Sequence, residues 1–555
     1  MTEDKQPGAN EQPQVPVNEL IRVRLEKVDN LREKGIEPYA YRYDRTHDIS
    51  DTVDNFDRYA ESETVLSLAG RIMLKRKMGK SIFADLHDAT GRIQIYLKID
   101  NVGKDEFKIF DKLDLGDIVG IKGTLFTTKT GEKTVMVTEY TVLSKAVQPL
   151  PDKYSGLVNK DLRYRHRYAD LIMNPRVRRT FAKRSRIIKS IRDFLDSKGF
   201  LEVETPILQP LYGGAAARPF KTHHNTLDVD LYLRIADELY LKRLIVGGFD
   251  KVWEYCKDFR NEGMDRLHNP EFSMVELYWA YADYRDIMSL YQEMMRKVVF
   301  DLHGKYKIKF SGHELETEEE FDEARKAGLI GGNLTFEGVE IDFEPDFKEV
   351  SMVEAVKEKT GIDLLSMDFE QARAEAKKFN KAEAKKHQID TAPLKNWGKV
   401  VEAFFEETVE ADLIQPTIIK DFPREISPLA KVHRDNPRLA ERFEVFIGGQ
   451  EVANAFSELN DPVDQLKRFK EQVEAGRGGD EEAHQLDEDY VLALMYGMPP
   501  TGGLGFGIDR LVMLLTNNYQ IQDVILFPQM RPEGDVHKTS PVEILDKIVS
   551  KKPDK

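Results

Sequence analysis

Two strand-like runs between residues 252 and 281 carry charged and aromatic side chains at alternating positions. Because side chains alternate across a strand with period two, alternate positions of each run share one face of a predicted hairpin. Such a face is a poor hydrophobic core and a good pocket for a charged ligand with a flat ring. A solvated sheet face with incidental ion pairs also fits the pattern. The residues on this face are Arg260 and Glu262 in the first run, and Phe272, Met274, Glu276 and Tyr278 in the second.

A second hairpin is predicted within residues 442–461, where Gly448 and Gly449 can form a tight turn. With a two-residue turn, Glu444 and Glu451 fall on the same face and diagonally opposite each other. Two unpaired carboxylates in this arrangement repel each other unless a cation lies between them. Mg²⁺ bound to a triphosphate is the natural cation, since Mg²⁺ takes a few carboxylates together with phosphate oxygens.

Regular alternation would place three more residues of the second strand on the face opposite to that of Glu451: Asn454, Phe456 and Glu458. They would join the same pocket only if a β-bulge near Ala453 shifted the alternation. The sequence leaves both arrangements open.

A third segment, residues 502–516, is a glycine-rich strand that runs into an apolar helix, with Arg510 at the junction. Glycines allow a ligand to approach the backbone closely. The spacing is wrong for a dinucleotide-binding fingerprint, and no βαβ unit with a downstream acid follows. Alone, this segment is a weak signal.

The elements that position these residues form an α+β chain of several domains, because 555 residues exceed one core. Residues 1–64 are predicted to be a disordered start followed by a helical extension, with a helix over 17–35. Five short strands in 65–148 predict a small barrel, with the oligonucleotide-binding fold as the leading candidate. A linker is predicted over 149–175, a catalytic domain over 176–540 with an insertion at 304–346, and a tail over 541–555.

Composition narrows the class of protein. The formal net charge of −15 argues against a general nucleic-acid coat protein. Cys256 is the only cysteine, so an intrachain disulfide is impossible and a structural zinc site is not expected. The polar first residues carry no apolar signal segment, and no run is apolar enough for a membrane helix, so a cytoplasmic protein is expected.

Together these segments resemble class II aminoacyl-tRNA synthetases, and in detail the lysine-specific members. The helix and strand that end at Pro206 are similar to motif 1, the dimer element. FRNEG with HNPEF (259–272) is similar to motif 2, and GLGFGIDR (503–510) to motif 3. The stretches 213–225, 234–249 and 448–461 resemble signatures of the lysine-specific branch, although Asp237 stands where that branch usually has proline.

The resemblance implies a homodimer that activates L-lysine with ATP and Mg²⁺, forming lysyl-adenylate, and then transfers lysine to tRNA(Lys). It implies catalytic roles for Arg260 and Arg510, which would stabilise charge during attack on the ATP α-phosphate. Glu444 and Glu451 would hold the metal. The ATP-binding residues implied are Arg260, Glu262, His268, Phe272, Glu444, Glu451 and Arg510.

At the lysine end, carboxylates and a phenol would surround the substrate ε-ammonium, which is costly to bury without partners. The lysine-binding residues implied are Gly214, Glu238, Glu276, Tyr278, Asn454, Phe456, Glu458 and Gly505. A related enzyme specific for aspartate or asparagine, and a non-catalytic RNA-binding paralogue, are the alternatives. The acidic pocket argues against the first, and the intact set of Arg260, Glu444, Glu451 and Arg510 argues against the second.

In the barrel, the resemblance implies anticodon contacts by Arg76, Phe83, Gln94 and Glu132. Phe83 suits stacking on an unpaired base. A core position in the barrel is the alternative for any single phenylalanine in a strand.

Overall fold

The computed structural model describes residues 17–151, 159–313, 317–326, 334–382, 388–477, 486–532 and 541–550. The chain forms two compact units, one of residues 1–158 with 532–555 and one of residues 159–531. Residues 1–16, which the sequence predicts to be disordered, lie outside the described part. No helix of the described residues is long and apolar enough to cross a membrane.

The first unit is built on a closed five-stranded barrel in the order β1-β2-β3-β5-β4. Alternate apolar residues of each strand point inward, so that Ile82, Leu86 and Ile95 are fully buried. The prediction of five strands within residues 65–148 is confirmed. The strands are β1 (Leu66–Met78), β2 (Ser81–His87), β3 (Arg92–Lys98), β4 (Ile118–Thr127) and β5 (Lys133–Ser144).

Helices before and within the barrel sequence complete this core. Leu31, Ile49 and Phe56 belong to the same buried cluster as the barrel strands, so the helical extension packs on the barrel. The first helix ends before Gly35, whose φ of +75° is the left-handed conformation that glycine adopts without strain. The helices are α1 (Val17–Glu33), α2 (Ile49–Asp54), α3 (Phe56–Glu61), α4 (Ile99–Val102) and α5 (Lys104–Asp111).

The linker prediction for 149–175 is wrong for its second half. Residues 152–158 lie outside the described residues, but α6 (Lys160–Arg165) and α7 (Arg167–Met173) belong to the second unit. Arg167 and Asp170 are fully buried there and paired at 2.8 Å. The linker prediction rests on Pro149 and Pro151, and both prolines precede these two helices.

The second unit is organised by an eight-stranded sheet in the order β14-β15-β16-β17-β18-β11-β10-β6. The two edge pairs are parallel and the five inner pairs antiparallel, as the α+β prediction requires. Its strands are β6 (Leu201–Glu202), β10 (Lys251–Phe259), β11 (Glu271–Ala280), β14 (Lys348–Ser351), β15 (Thr417–Lys420), β16 (Arg442–Phe446), β17 (Glu451–Ser457) and β18 (Thr501–Gly507).

Two smaller sheets accompany it. One consists of β7 (Leu208–Gln209), β8 (Lys221–His224) and β9 (Val229–Leu233). The other lies in the predicted insertion, where β12 (Lys307–Phe310) pairs with β13 (Val339–Asp342) and the acidic helix α11 (Glu318–Lys326) lies between them in sequence. Phe310 and Phe343 share the main core of the unit.

Helices cover the large sheet. Apolar residues of the long helix α10, such as Tyr291 and Val298, pack in one core with Phe443 and Phe506 of the strands. The remaining helices of this unit are α8 (Pro175–Ser197), α9 (Glu238–Val246), α10 (Tyr284–His303), α12 (Met352–Thr360), α13 (Phe369–Ala382), α14 (Trp397–Thr408), α15 (Pro462–Arg477), α16 (Glu488–Met495), α17 (Ile508–Thr516) and α18 (Ile521–Val524), whereas α19 (Pro541–Val549) belongs to the first unit.

Candidate active site

A cavity of about 370 Å³ lies over the central strands of the large sheet. It collects residues from the three motifs that are far apart in sequence. All the residues predicted to bind ATP or lysine line it except Glu444: Gly214, Glu238, Arg260, Glu262, His268, Phe272, Glu276, Tyr278, Glu451, Asn454, Phe456, Glu458, Gly505 and Arg510.

The predicted hairpin of β10 and β11 forms the floor. The two strands pair antiparallel, with Glu254 opposite Glu276 and Asp258 opposite Phe272. Period-two alternation therefore places Glu276 and Tyr278 on one face, as predicted, and both are buried.

The second hairpin shows which face of β17 carries Asn454, Phe456 and Glu458. Gly448 and Gly449 form the turn with φ of +67° and +73°. Glu451 pairs with Phe446 but Ala453 pairs with Val445, so Val452 is an extra residue in β17. This is the β-bulge that the sequence left open, one residue before Ala453. It turns Asn454, Phe456 and Glu458 into the cavity that Glu451 also lines.

Cationic side chains gather at the more exposed end of the cavity. The Arg260 guanidinium lies over the Phe272 ring at 5.0 Å. Arg510 Nη2 lies 3.0 Å from His268 Nε2, and His268 Nδ1 lies 2.8 Å from an oxygen of Asp265. This end presents an aromatic face and several N–H donors, which suits an aromatic base attached to phosphates.

The carboxylates predicted to bind the metal share one face, but the premise that both are unpaired is wrong. Arg442 Nη2 lies 2.5 Å from Glu444, and Arg510 Nη1 lies 3.3 Å from Glu451. Burial, opposed by Arg442 and reinforced by Glu451, raises the pKa of Glu444 to about 8. Burial and the charges of Glu406 and Glu451 also raise the pKa of Glu410 to about 7.

These carboxylates fit a hard divalent cation. They present oxygen ligands close enough for their charges to repel, and a cation would relieve that repulsion. Glu451 faces the cavity directly, whereas Glu444 is held back by Arg442.

The other end of the cavity is buried and acidic, and it holds a cation that the sequence analysis missed. Lys242 of α9 is fully buried and forms ion pairs with Glu238 and Glu458. Burial alone would lower the pKa of Lys242, but these two carboxylates raise it above its ordinary value. Glu458 thus has an internal partner. The i,i+4 spacing of Glu238 and Lys242 was visible in sequence, but such pairs are usually solvent-exposed.

Among the described residues, no cation forms an ion pair with Glu276. The Tyr278 hydroxyl donates to its carboxyl at 3.2 Å. Burial, followed by the charges of Asp237, Glu238 and Asp258, raises the pKa of Glu276 well above its usual range. Glu276 is therefore the carboxyl at this end of the cavity that is available to pair with a bound cation.

A second missed residue is Gly503. A Cβ at this position would lie 2.0 Å from Glu458 Oε1 and 2.6 Å from the Tyr278 ring. The glycine makes room for both side chains. The family resemblance implies a lysine-binding role for Gly505, two residues further along the strand, and none for Gly503.

The predicted anticodon residues share one outer region of the barrel. Phe83 is not a core residue: it is half-buried outside the core cluster, and its ring lies 4.7 Å from that of Tyr96. Arg76 is exposed directly opposite Phe83 on the neighbouring strand. Gln94 accepts from the Thr134 hydroxyl at 3.0 Å, and Glu132 accepts from Arg92 at 2.7 Å. Tyr96 and Phe126, with rings 5.9 Å apart, extend the aromatic surface and were not foreseen.

Two segments of the chain match known families. Residues 159–531 match the model of tRNA synthetases class II (D, K and N), and residues 66–143 match that of the OB-fold nucleic acid binding domain. The chain belongs to the class II tRNA synthetases of this D, K and N family, which confirms the predicted fold.

Within that class the chain is similar to lysine–tRNA ligases over nearly its whole length. It is 50% identical over 517 residues to the lysine–tRNA ligase of Carboxydothermus hydrogenoformans, covering 93% of this chain and 99% of that protein. It is 51% identical over 516 residues to the enzyme of Pelotomaculum thermopropionicum, covering 93% and 96%. A relative from Thermoanaerobacter sp. is 51% identical over 520 residues, covering 94% and 97%.

Proposed function

We propose that the protein is a lysine–tRNA ligase, which activates L-lysine with ATP and transfers it to tRNA(Lys). The observation that carries the proposal is the polarity of the cavity. One end offers Arg260, His268 and Arg510, and the other offers the buried carboxyl of Glu276, with which no cation of the described residues forms an ion pair. ATP and the lysine ε-ammonium fit these opposite ends.

In the first step, the lysine carboxylate attacks the ATP α-phosphorus and pyrophosphate leaves. Arg260 would contact the α-phosphate and the attacking carboxylate, where negative charge develops. The adenine would lie on Phe272, with Arg510 on its other face and Glu262 at its amino group. For that sandwich the Arg260 guanidinium, which covers the ring at 5.0 Å, must turn toward the phosphates. His268 and Arg510 would contact the outer phosphates.

The lysine would lie along the buried part of the cavity. Gly214 and Glu238 would bind its α-amino group, and Glu276 and Tyr278 its ε-ammonium. Glu458 acts through Lys242, since that ion pair fixes the position of both side chains. Asn454, Phe456 and Gly505 would line the space between. Positioning both substrates without water between them supplies much of the rate in such a reaction.

Glu444 and Glu451 would hold Mg²⁺. When bound, the ion would neutralise charge on the ATP phosphates. The protein's own contribution is to place the two carboxylates on one face and to hold Arg510 beside Glu451.

In the second step, a terminal ribose hydroxyl of the tRNA takes the lysyl group from the adenylate. The outer region of the barrel would contact the anticodon through Arg76, Phe83, Gln94 and Glu132. Phe83 and its neighbour Tyr96 offer a stacking surface for unpaired bases.

A homodimer is part of the proposal. The segment that resembles the dimer element leaves Leu201 exposed, and the residues directly after it leave Ile207, Leu208 and Leu211 exposed. Clustered apolar side chains of this kind are typical of an interface. With tRNA, ATP and lysine as substrates, the expected compartment is the cytoplasm.

Lysine-dependent ATP–pyrophosphate exchange tests the assignment. Lysine, and neither aspartate nor asparagine, should support exchange, and lysine should then be transferred to tRNA(Lys). An aspartate-specific enzyme needs a free cation at the buried end, whereas Lys242 is already held by two carboxylates. Equal exchange with aspartate would overturn the lysine assignment.

A further inference from the structure

Two buried carboxyls next to the cavity lack hydrogen-bond donors. Asp237 and Asp258 are both fully buried, and neither oxygen of either side chain accepts a hydrogen bond from the described residues. Neither residue lines the cavity that is proposed to hold ATP and lysine. A buried carboxylate without a donor is costly, so these two groups require a counterion.

The fold brings these carboxyls together with a thiol. Cys256 and Asp258 are two residues apart on β10, so they share one face of the sheet. Asp237 occupies the position before α9, where an aspartate normally accepts a hydrogen bond from the helix backbone, but its side chain makes no such bond. Ligand atoms of the three residues all lie within 4.8 Å of one another. The Asp237 carboxyl is thus turned toward the strand and not toward its own helix.

Arg234 is the neighbouring cation, and its donors are committed to other partners. Its Nε lies 3.4 Å from an Asp258 oxygen but donates to the Lys257 carbonyl at 2.9 Å. Its Nη1 donates to Glu254 at 2.7 Å, so the charge of Glu254 balances that of Arg234. Among the described residues, no other cation forms an ion pair with Asp258, and none forms one with Asp237. The two carboxyls therefore still lack a counterion.

One thiol and two carboxyls are suitable ligands for a divalent metal of intermediate softness. Zn²⁺ takes cysteine sulfur and aspartate oxygen in one tetrahedral site. Ligand atoms around such an ion lie about 3.5 Å apart, so these three would have to close by little more than about 1 Å. Mg²⁺ is less suited, because it prefers oxygen ligands to sulfur. Cys256 is the only cysteine of the chain, so the site differs from the structural zinc sites that several cysteines build.

We propose that Asp237, Cys256 and Asp258 bind one zinc ion, which holds the start of α9 against β10. On binding, the Cys256 S–H bond breaks, its proton passes to solvent, and the sulfur and two carboxylate oxygens bond to the ion. A water molecule would complete the four positions. The three anionic ligands exceed the charge of the ion by one. The site therefore has a net negative charge and would not repel the ammonium proposed to bind at Glu276.

The ion would also steady the part of the cavity that is proposed to bind lysine. Asp237 directly precedes Glu238, and α9 carries both Glu238 and Lys242. A metal bond to Asp237 would fix the first turn of this helix. The lysine-specific branch that this segment resembles usually has proline at position 237, which offers no ligand. The site would therefore be a property of this chain, and it does not depend on the proposed function.

Elemental analysis of the purified full chain, without a histidine tag, tests the metal. About one zinc ion per chain is expected. Asp237→Asn and Cys256→Ser should each lower zinc affinity at least about tenfold, since even the outer partners of metal ligands are worth about 10–100-fold. Asp421→Asn is the matched control, because Asp421 is a partly buried carboxyl outside the ligand group. It should keep the zinc.

Cobalt then identifies the sulfur ligand. Co²⁺ added to the zinc-depleted chain should produce the near-ultraviolet absorption of a cobalt–thiolate bond. Because Cys256 is the only cysteine, no other residue of the chain can give this band. Cys256→Ser should lack it. The Glu444→Ala, Glu451→Ala variant should keep it, because the proposed Mg²⁺ ligands contain no sulfur.

Contrary results overturn the zinc site. A folded chain that neither contains zinc nor gains the cobalt–thiolate band would mean that protons, and not a metal, neutralise Asp237 and Asp258. Zinc that both Cys256→Ser and Asp237→Asn retain would be bound elsewhere. If Asp237→Asn lacks a cooperative thermal unfolding transition, Asp237→Pro takes its place, because the lysine-specific branch usually has that residue. Failure of lysine-dependent pyrophosphate exchange, in contrast, overturns the proposed function and leaves the zinc site intact.

Discussion

The buried acidic end of the cavity and the outer region of the barrel use charged and aromatic residues in opposite ways. At the acidic end, Glu276, Glu458 and Lys242 are buried, and each depends on a neighbouring charge or hydroxyl. In the barrel, Arg76 is exposed and Phe83 only half-buried. Substitutions at the acidic end are therefore expected to affect both ligand binding and the stability of the fold. Substitutions on the outer surface of the barrel are expected to affect ligand binding alone.

The largest loss of activity is expected from the carboxylates on the face of β16 and β17. Glu444→Ala combined with Glu451→Ala should abolish adenylate formation, because the cation that neutralises the phosphates would have no ligands. Lysine-dependent pyrophosphate exchange measures this. A control double variant, Glu340→Ala with Glu349→Ala, removes carboxylates that pair with Lys307 and Lys420 and do not line the cavity. Near-normal Mg²⁺-dependent exchange in the Glu444→Ala, Glu451→Ala variant would show that these two carboxylates are structural.

Lys242→Met should cause the largest loss of stability. It leaves Glu238 and Glu458 buried without their cation, which costs about 3–5 kcal/mol of the free energy of unfolding. Lys189→Met is the matched control, because Lys189 and Asp193 form an i,i+4 pair of the same kind at the surface. Lys189→Met should lower the free energy of unfolding by no more than about 1 kcal/mol. Urea unfolding compares the two, and equal losses would contradict the contrast between buried and exposed charges.

Glu276→Gln should weaken lysine use with little effect on ATP. The glutamine keeps the shape of the side chain but loses the charge, so the loss should be about 1.5–3 kcal/mol, as for a hydrogen bond to a charged group. The KM values for lysine and for ATP in the exchange reaction measure the two effects separately. A parallel rise in both KM values would mean that Glu276 supports the cavity as a whole and not the ε-ammonium.

The smallest effect is expected in the barrel, and it is also the most selective. Phe83→Ala removes a stacking surface worth about 1–3 kcal/mol per base, so tRNA charging should fall while pyrophosphate exchange stays unchanged. Tyr41→Ala, which removes a fully exposed ring outside the barrel strands, is the control. Thermal unfolding must first show that both variants are folded. Charging at the parental rate by a folded Phe83→Ala variant would exclude Phe83 from anticodon binding, and a joint loss of both activities would show that the two functions are coupled.

The sequence by itself determined the local architecture. Period-two alternation predicted the strands of the barrel and the hairpin that carries Glu276 and Tyr278, because successive side chains of a strand point to opposite faces of the sheet. Two adjacent glycines predicted the turn between β16 and β17. The resemblance of the motifs then supplied the residues that the structure brings together in one cavity.

Only the tertiary structure decided how the charges are partnered. The bulge at Val452 shifts the alternation by one residue, and no local pattern signals such a shift. Lys242 reaches Glu458 over 216 positions of the chain. Arg442 and Arg510 likewise pair with carboxylates that the sequence had left unpaired. The physical reason is that periodicity fixes which face a side chain occupies, whereas burial and long-range packing fix what stands opposite it.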